Sequence, residues 1–202
     1  MAKSSSTKRM VFYAMMIAIT AILQIVSNFV KFGPVSITLA LVPIIVGAAI
    51  YGWRGGAVLG FVFGLVVYLT GLIGWDGGTV IWFSSSNGVI SAIATPILVI
   101  VKGTVAGIVA GLIYEALEKK NSMLGVILAG IAAPVLNTGI FVLGWVTIFR
   151  NTRAEDSMWA AFVAILAAIA VNFIVELVAN LALATVIERI IKIAGKHKFS
   201  KA

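Results

Sequence analysis

Residues 90–117 form a membrane-length apolar run with one cation, Lys102, sunk into it. An ammonium near a bilayer centre costs at least about 2.5 kcal/mol, so its presence implies a polar cavity inside a helix bundle. Just after it, Gly103, Gly107 and Gly111 recur every four residues. They put a smooth stripe on one helix face where a neighbouring backbone can approach closely.

The rest of the chain has the composition of a wall around this helix. Of 202 residues, 61% are apolar and 11% charged, and the mean hydropathy of +1.13 lies far outside the range of a soluble domain. At roughly 20 apolar residues per span, the expected fold is an all-α integral membrane protein: one domain of six transmembrane helices, at about 10–30, 37–51, 57–72, 90–118, 123–149 and 158–191. The first run is too long for a signal-peptide core and lacks a small-residue cleavage site. Pro43 is expected to tilt or kink the second helix, and Pro134 to interrupt the fifth.

Charge orients the bundle. Lys3, Lys8, Arg9, Arg54, Lys119, Lys120, Arg189, Lys192, Lys196, Lys198 and Lys201 fall on the side of the two termini, and Lys31, Arg150 and Arg153 on the other. The positive-inside rule therefore puts both termini in the cytoplasm of a multi-pass membrane protein. Cytoplasmic flanks facing anionic lipid account for the net charge of +8 without a nucleic acid partner. There is no cysteine, and the single histidine, His197, belongs to a solvated basic tail without companions for a metal site.

Two features outside the fourth helix carry function. Ala14, Ala18 and Ala21 share a face of the first helix, a seam for packing within the chain or for docking a partner. Residues 74–88, rich in Gly, Trp and Ser, read as a long outward loop. It is either an aromatic belt at the headgroups or a lid in which Trp75, Trp82 and Asn87 are candidate solute contacts.

The remaining polar residues share a depth. Lys102, Asn137, Asn172 and Glu176 each fall near the middle of their helices, and Asn172 and Glu176, four apart, share a face. Trp145 either walls the same region or marks the interface. Such convergence suits a solute site, but a ligand-free Lys102–Glu176 ion pair that fixes helix register fits the same residues, and each asparagine equally suits an interhelical hydrogen bond. No P-loop, H-E-x-x-H or G-x-S-x-G motif occurs, which argues against an enzyme and leaves a solute-binding subunit energised by partners, or a membrane scaffold.

The ordered set Ala14-x-x-x-Ala18, then Gly52, Gly56, Gly60 and Gly64, then Lys102-Gly103 with Gly107, then Pro134-Val-Leu-Asn137-Thr138-Gly139 resembles the S components of energy-coupling factor (ECF) transporters, which import vitamins in prokaryotes. The resemblance covers nearly the whole chain. It implies a plasma-membrane subunit that binds a vitamin from outside and docks through its alanine motif on a transmembrane coupling protein carrying two ATP-binding-cassette ATPases. No cofactor is implied. One buried lysine among amides suits a small hydroxylated monocarboxylate best, which points to pantothenate, with folate, riboflavin and thiamine as alternatives. The pattern of the fifth helix is also most similar to pantothenate-type members.

Overall fold

The computed structural model describes residues 2–32, 35–36, 38–84, 88–148 and 158–196. Six helices and one small hairpin are found among them: α1 (Ala2–Ser27), β1 (Lys31–Phe32), β2 (Val35–Ser36), α2 (Leu41–Leu72), α3 (Gly77–Ser84), α4 (Gly88–Leu117), α5 (Ser122–Ile148) and α6 (Met158–Lys196). Five of the helices are long and apolar enough to cross a membrane, all but the short α3. Leu65, Leu69, Ile97, Leu143, Val171 and Ile174 are exposed, as suits surfaces whose solvent is lipid.

The expected second and third helices are the two arms of α2, which meet at a break at Gly52, where φ is 75° and ψ −173°. A straight helix of 32 residues would reach about 48 Å against a hydrocarbon core of ~30 Å, so the bend is what lets it fit. The chain turns at Gly52 because that backbone conformation is essentially open to glycine alone. It leaves the Trp53 N–H without an intrahelical acceptor, and the Glu115 carboxylate of α4 accepts it at 2.9 Å. Pro43, expected to tilt or kink the second helix, sits in the first turn of α2, where a missing N–H is harmless. Pro134 likewise does not end α5, which runs through it.

The second arm of α2 lies against α4 through interlocking glycines. A methyl at Gly56 would run into the Gly107 carbonyl, one at Gly60 into that of Gly103, and one at Gly64 into the backbone at Val99 and Ile100. Side chains at these positions would hold the helices apart; their absence lets two backbones meet. Leu41, Ile44, Leu59, Phe63, Val67 and Val99 form the core beside this seam.

Between α1 and α2, β1 and β2 form a two-stranded pair and Leu39 and Ala40 a turn, where the sequence reading starts its second helix at residue 37. Lys31 pairs with Ser36 and Phe32 with Val35. The Leu39 N–H donates to Ser27 Oγ at 3.0 Å, which anchors the segment to α1.

Within 74–88, where the sequence reads as a loop, α3 forms. Asp76 is its N-cap, with Oδ1 accepting the Thr79 N–H at 2.7 Å. A capping side chain of this kind satisfies an orphan donor of the first turn and offsets the flexibility of Gly77 and Gly78.

Candidate functional site

A cavity opens between the helices, and residues of several elements converge on it. α4 contributes Lys102, α5 contributes Asn137, Thr138 and Phe141, and α6 contributes Ile169, Asn172, Phe173 and Glu176. The equal depth read from helix arithmetic thus corresponds to one shared space.

Lys102 reaches it because Gly103, next in sequence, is pressed on Gly60, fixing the angle at which α4 presents its ammonium. Its Nζ lies 5.3 Å from the centre of the Phe141 ring and 5.9 Å from that of Phe63. Ring faces attract a cation at such distances, though less than a carboxylate does. Asp76 and Glu176 are the carboxyl groups that line the cavity with it. The ion pair found among the described residues is Lys192–Glu188, at 2.9 Å, so neither carboxylate lies within 4.0 Å of the Lys102 ammonium. The register-fixing Lys102–Glu176 pair is therefore not formed.

Glu176, 5% exposed, uses Oε1 to accept the Thr38 N–H at 2.7 Å. That bond holds the segment carrying Ser36 and Thr38, both of which line the cavity. Asn137 is 4% exposed and Asn172 3%.

Several lining residues escaped the sequence reading. Gln24 of α1, 2% exposed, was detectable as an amide in an apolar helix, one turn after Thr20. Asp76 is the first acidic residue of the chain and the only one before Glu115, a signal hidden by its aromatic neighbours. Phe63 and Phe141 could not be told from core residues, because an aromatic in an apolar helix has the same pattern on a lipid face, in a core or at a pocket wall.

Other expected residues lie elsewhere. Trp75 is absent from the lining, 43% exposed, and its ring stands 5.5 Å from that of Phe29. Trp82 and Trp145 lie on α3 and α5, but their side chains are outside the described residues, as are all of Asn87 and His197. Ala14 and Ala18 are exposed and Ala21 is half-buried. A seam packed within the chain would have covered the first two, and it does not.

The chain matches the family described as ECF transporter, substrate-specific component, over residues 8–188. It is 30% identical over 181 residues to the pantothenic acid transporter PanT of Lactococcus lactis subsp. cremoris (strain MG1363), with 88% of each chain covered. With that match over most of its length, the chain belongs to the family of substrate-specific components of ECF transporters: multi-pass membrane subunits, not enzymes, that serve a small-molecule substrate and work with an ECF module.

Proposed function

We propose that the chain is the vitamin-binding subunit of an importer in a prokaryotic plasma membrane, and that its solute is pantothenate. The observation that carries this reading is the cavity itself, with one ammonium, buried amides and three phenyl rings. A monocarboxylate with hydroxyl and amide groups matches that inventory: its carboxylate meets Lys102, and its polar middle meets Asn137 and Asn172. Asp76 and Glu176 share the space, so a ligand with two carboxylates, such as folate, would bring its second one beside a like charge. The similarity to a pantothenic acid transporter supports the same choice.

In this reading the membrane is crossed six times. The first arm of α2, 41–51, reaches only about 16 Å and completes its passage with the hairpin before it. Both termini are cytoplasmic, a placement that the distribution of Lys and Arg supports. The exposed Ala14 and Ala18 dock on a transmembrane coupling protein with two ATP-binding-cassette ATPases, and the assembly carries the solute inward.

Titration of the purified full-length chain with pantothenate, folate, riboflavin and thiamine tests the assignment. Saturable binding of pantothenate alone is expected; tight binding of folate or riboflavin, with none of pantothenate, overturns it.

A further inference from the structure

Glu176 commits one carboxylate oxygen to the protein and leaves the other in the cavity wall. Oε1 holds the Thr38 N–H at 2.7 Å, and the Thr38 side chain lies near the same carboxylate, but Oε2 is buried and has no hydrogen-bond partner among the described residues. A buried acceptor left unmatched is costly, more so when charged. Gln24 Oε1, Ser36 Oγ and Asn137 Oδ1, also of lining residues, are buried without partners among the described residues too. These three can adapt, since an amide can turn its NH2 inward and a hydroxyl both donates and accepts. A carboxylate, when ionised, only accepts, and an ammonium only donates. Lys102 and Glu176 therefore impose opposite demands on one guest: an acceptor for Nζ and an O–H or N–H for Oε2.

Resting on the pantothenate reading above, we propose that Glu176 Oε2 is a specificity-determining acceptor that takes a hydrogen bond from a hydroxyl of the solute while Lys102 holds its carboxylate. The bound molecule then lies with its acid end at α4 and a hydroxyl at α6. Because Oε1 of the same carboxylate holds Thr38, the group that reads the hydroxyl is fixed in place by the segment between α1 and α2. A second carboxylate on the solute would find like charge at Oε2, which makes Glu176 a device of exclusion as well as recognition.

Dissociation constants measured on the purified full-length chain decide the matter. Wild type and Glu176→Gln are each titrated with pantothenate, with its analogue lacking both hydroxyls, and with panthenol, in which an alcohol replaces the carboxylate. In Glu176→Gln the amide oxygen stays on the Thr38 N–H and an NH2 replaces Oε2, so an acceptor becomes a donor. Wild type should favour pantothenate over the dideoxy analogue by at least about tenfold, the scale of a hydrogen bond to a charged group. Glu176→Gln should narrow that preference to within about threefold while still favouring pantothenate over panthenol, a preference set by Lys102 that also reports an intact fold. An equal hydroxyl preference in both proteins overturns the role of Glu176 and leaves the pantothenate reading standing. Failure of wild type to bind pantothenate while it binds another vitamin overturns both. Should Glu176→Gln not accumulate, Glu176→Asp replaces it: a carboxylate one methylene shorter cannot reach Thr38 and the solute together, and an undiminished hydroxyl preference there overturns the proposal.

Discussion

Gly60 of α2 and Gly103 of α4 face each other so closely that a Cβ on either would meet the other's carbonyl oxygen. Lys102 is the residue before Gly103, so the closest approach of two backbones and the buried ammonium are set by one contact. The stripe that makes helix packing possible in a solvent as apolar as the side chains also aims the cation at the cavity.

Gly60→Ala should therefore impair both stability and binding. The added methyl meets backbone, which cannot swing aside, and overpacking of this kind costs about 1–3 kcal/mol. A lowered midpoint of thermal unfolding in detergent, with weakened solute affinity, is expected. Gly139→Ala, whose added methyl would have nothing within 4 Å, should leave both unchanged.

The bend in α2 yields a second prediction. Gly52→Ala forces alanine into a conformation that costs about 1–3 kcal/mol and drives its methyl into the Glu115 carboxylate. Glu115→Ala alone should cost less than ~1 kcal/mol, since the Trp53 N–H it releases is exposed to other partners. Combined, the two should destabilise by less than the sum of the single effects, because the clash disappears with the carboxylate. Thermal unfolding of the four proteins measures the coupling, and strict additivity would show that the Gly52 penalty is backbone strain alone.

The contrast between Lys102 and Asp76 shows how far a sequence of this kind can be read. Lys102, Asn137, Asn172 and Glu176 stand out because polar groups in apolar helices need a reason, and helix rise alone puts them at one depth. Asp76 lies among glycines and tryptophans, where an acid needs no special reason, and its capping of α3 becomes visible only once that helix exists. The break at Gly52 falls in the gap that the sequence leaves between its second and third helices, whereas the kink expected at Pro43 does not form, since a proline's effect depends on whether it falls in a first turn, a boundary that hydropathy does not locate. Trp75 suits a lid and an interfacial belt alike, because loop aromatics occur in both; its ring stands beside Phe29 and outside the cavity lining.

The exposed alanines of α1 separate binding from transport. Ala18→Leu puts a bulky side chain on a face that no described residue covers, so solute affinity and thermal stability should stay within about twofold and ~0.5 kcal/mol of wild type. Uptake by cells that coexpress the coupling protein and ATPases should fall at least about tenfold, since small residues are what permit close helix contact. Unimpaired uptake would remove this face from the docking surface.

Lys102→Met distinguishes a solute site from a scaffold. In a scaffold the ammonium would hold helices in register through an ion pair, and its loss would leave a carboxylate unpaired and the bundle less stable, by about 3–5 kcal/mol. Lys102 makes no such pair with a described residue; it lies between two phenyl rings and the cavity. Methionine fills similar volume without the cost of burying an ammonium, so the midpoint of thermal unfolding should hold or rise. Removing the partner of a buried ligand carboxylate costs about 1.5–3 kcal/mol, so pantothenate should bind roughly 10- to 150-fold more weakly. Panthenol, which has no carboxylate to lose a partner, should bind Lys102→Met about as well as it binds wild type. A protein that instead loses stability while keeping its affinity for pantothenate would make Lys102 a structural residue and move the acid end of the solute elsewhere.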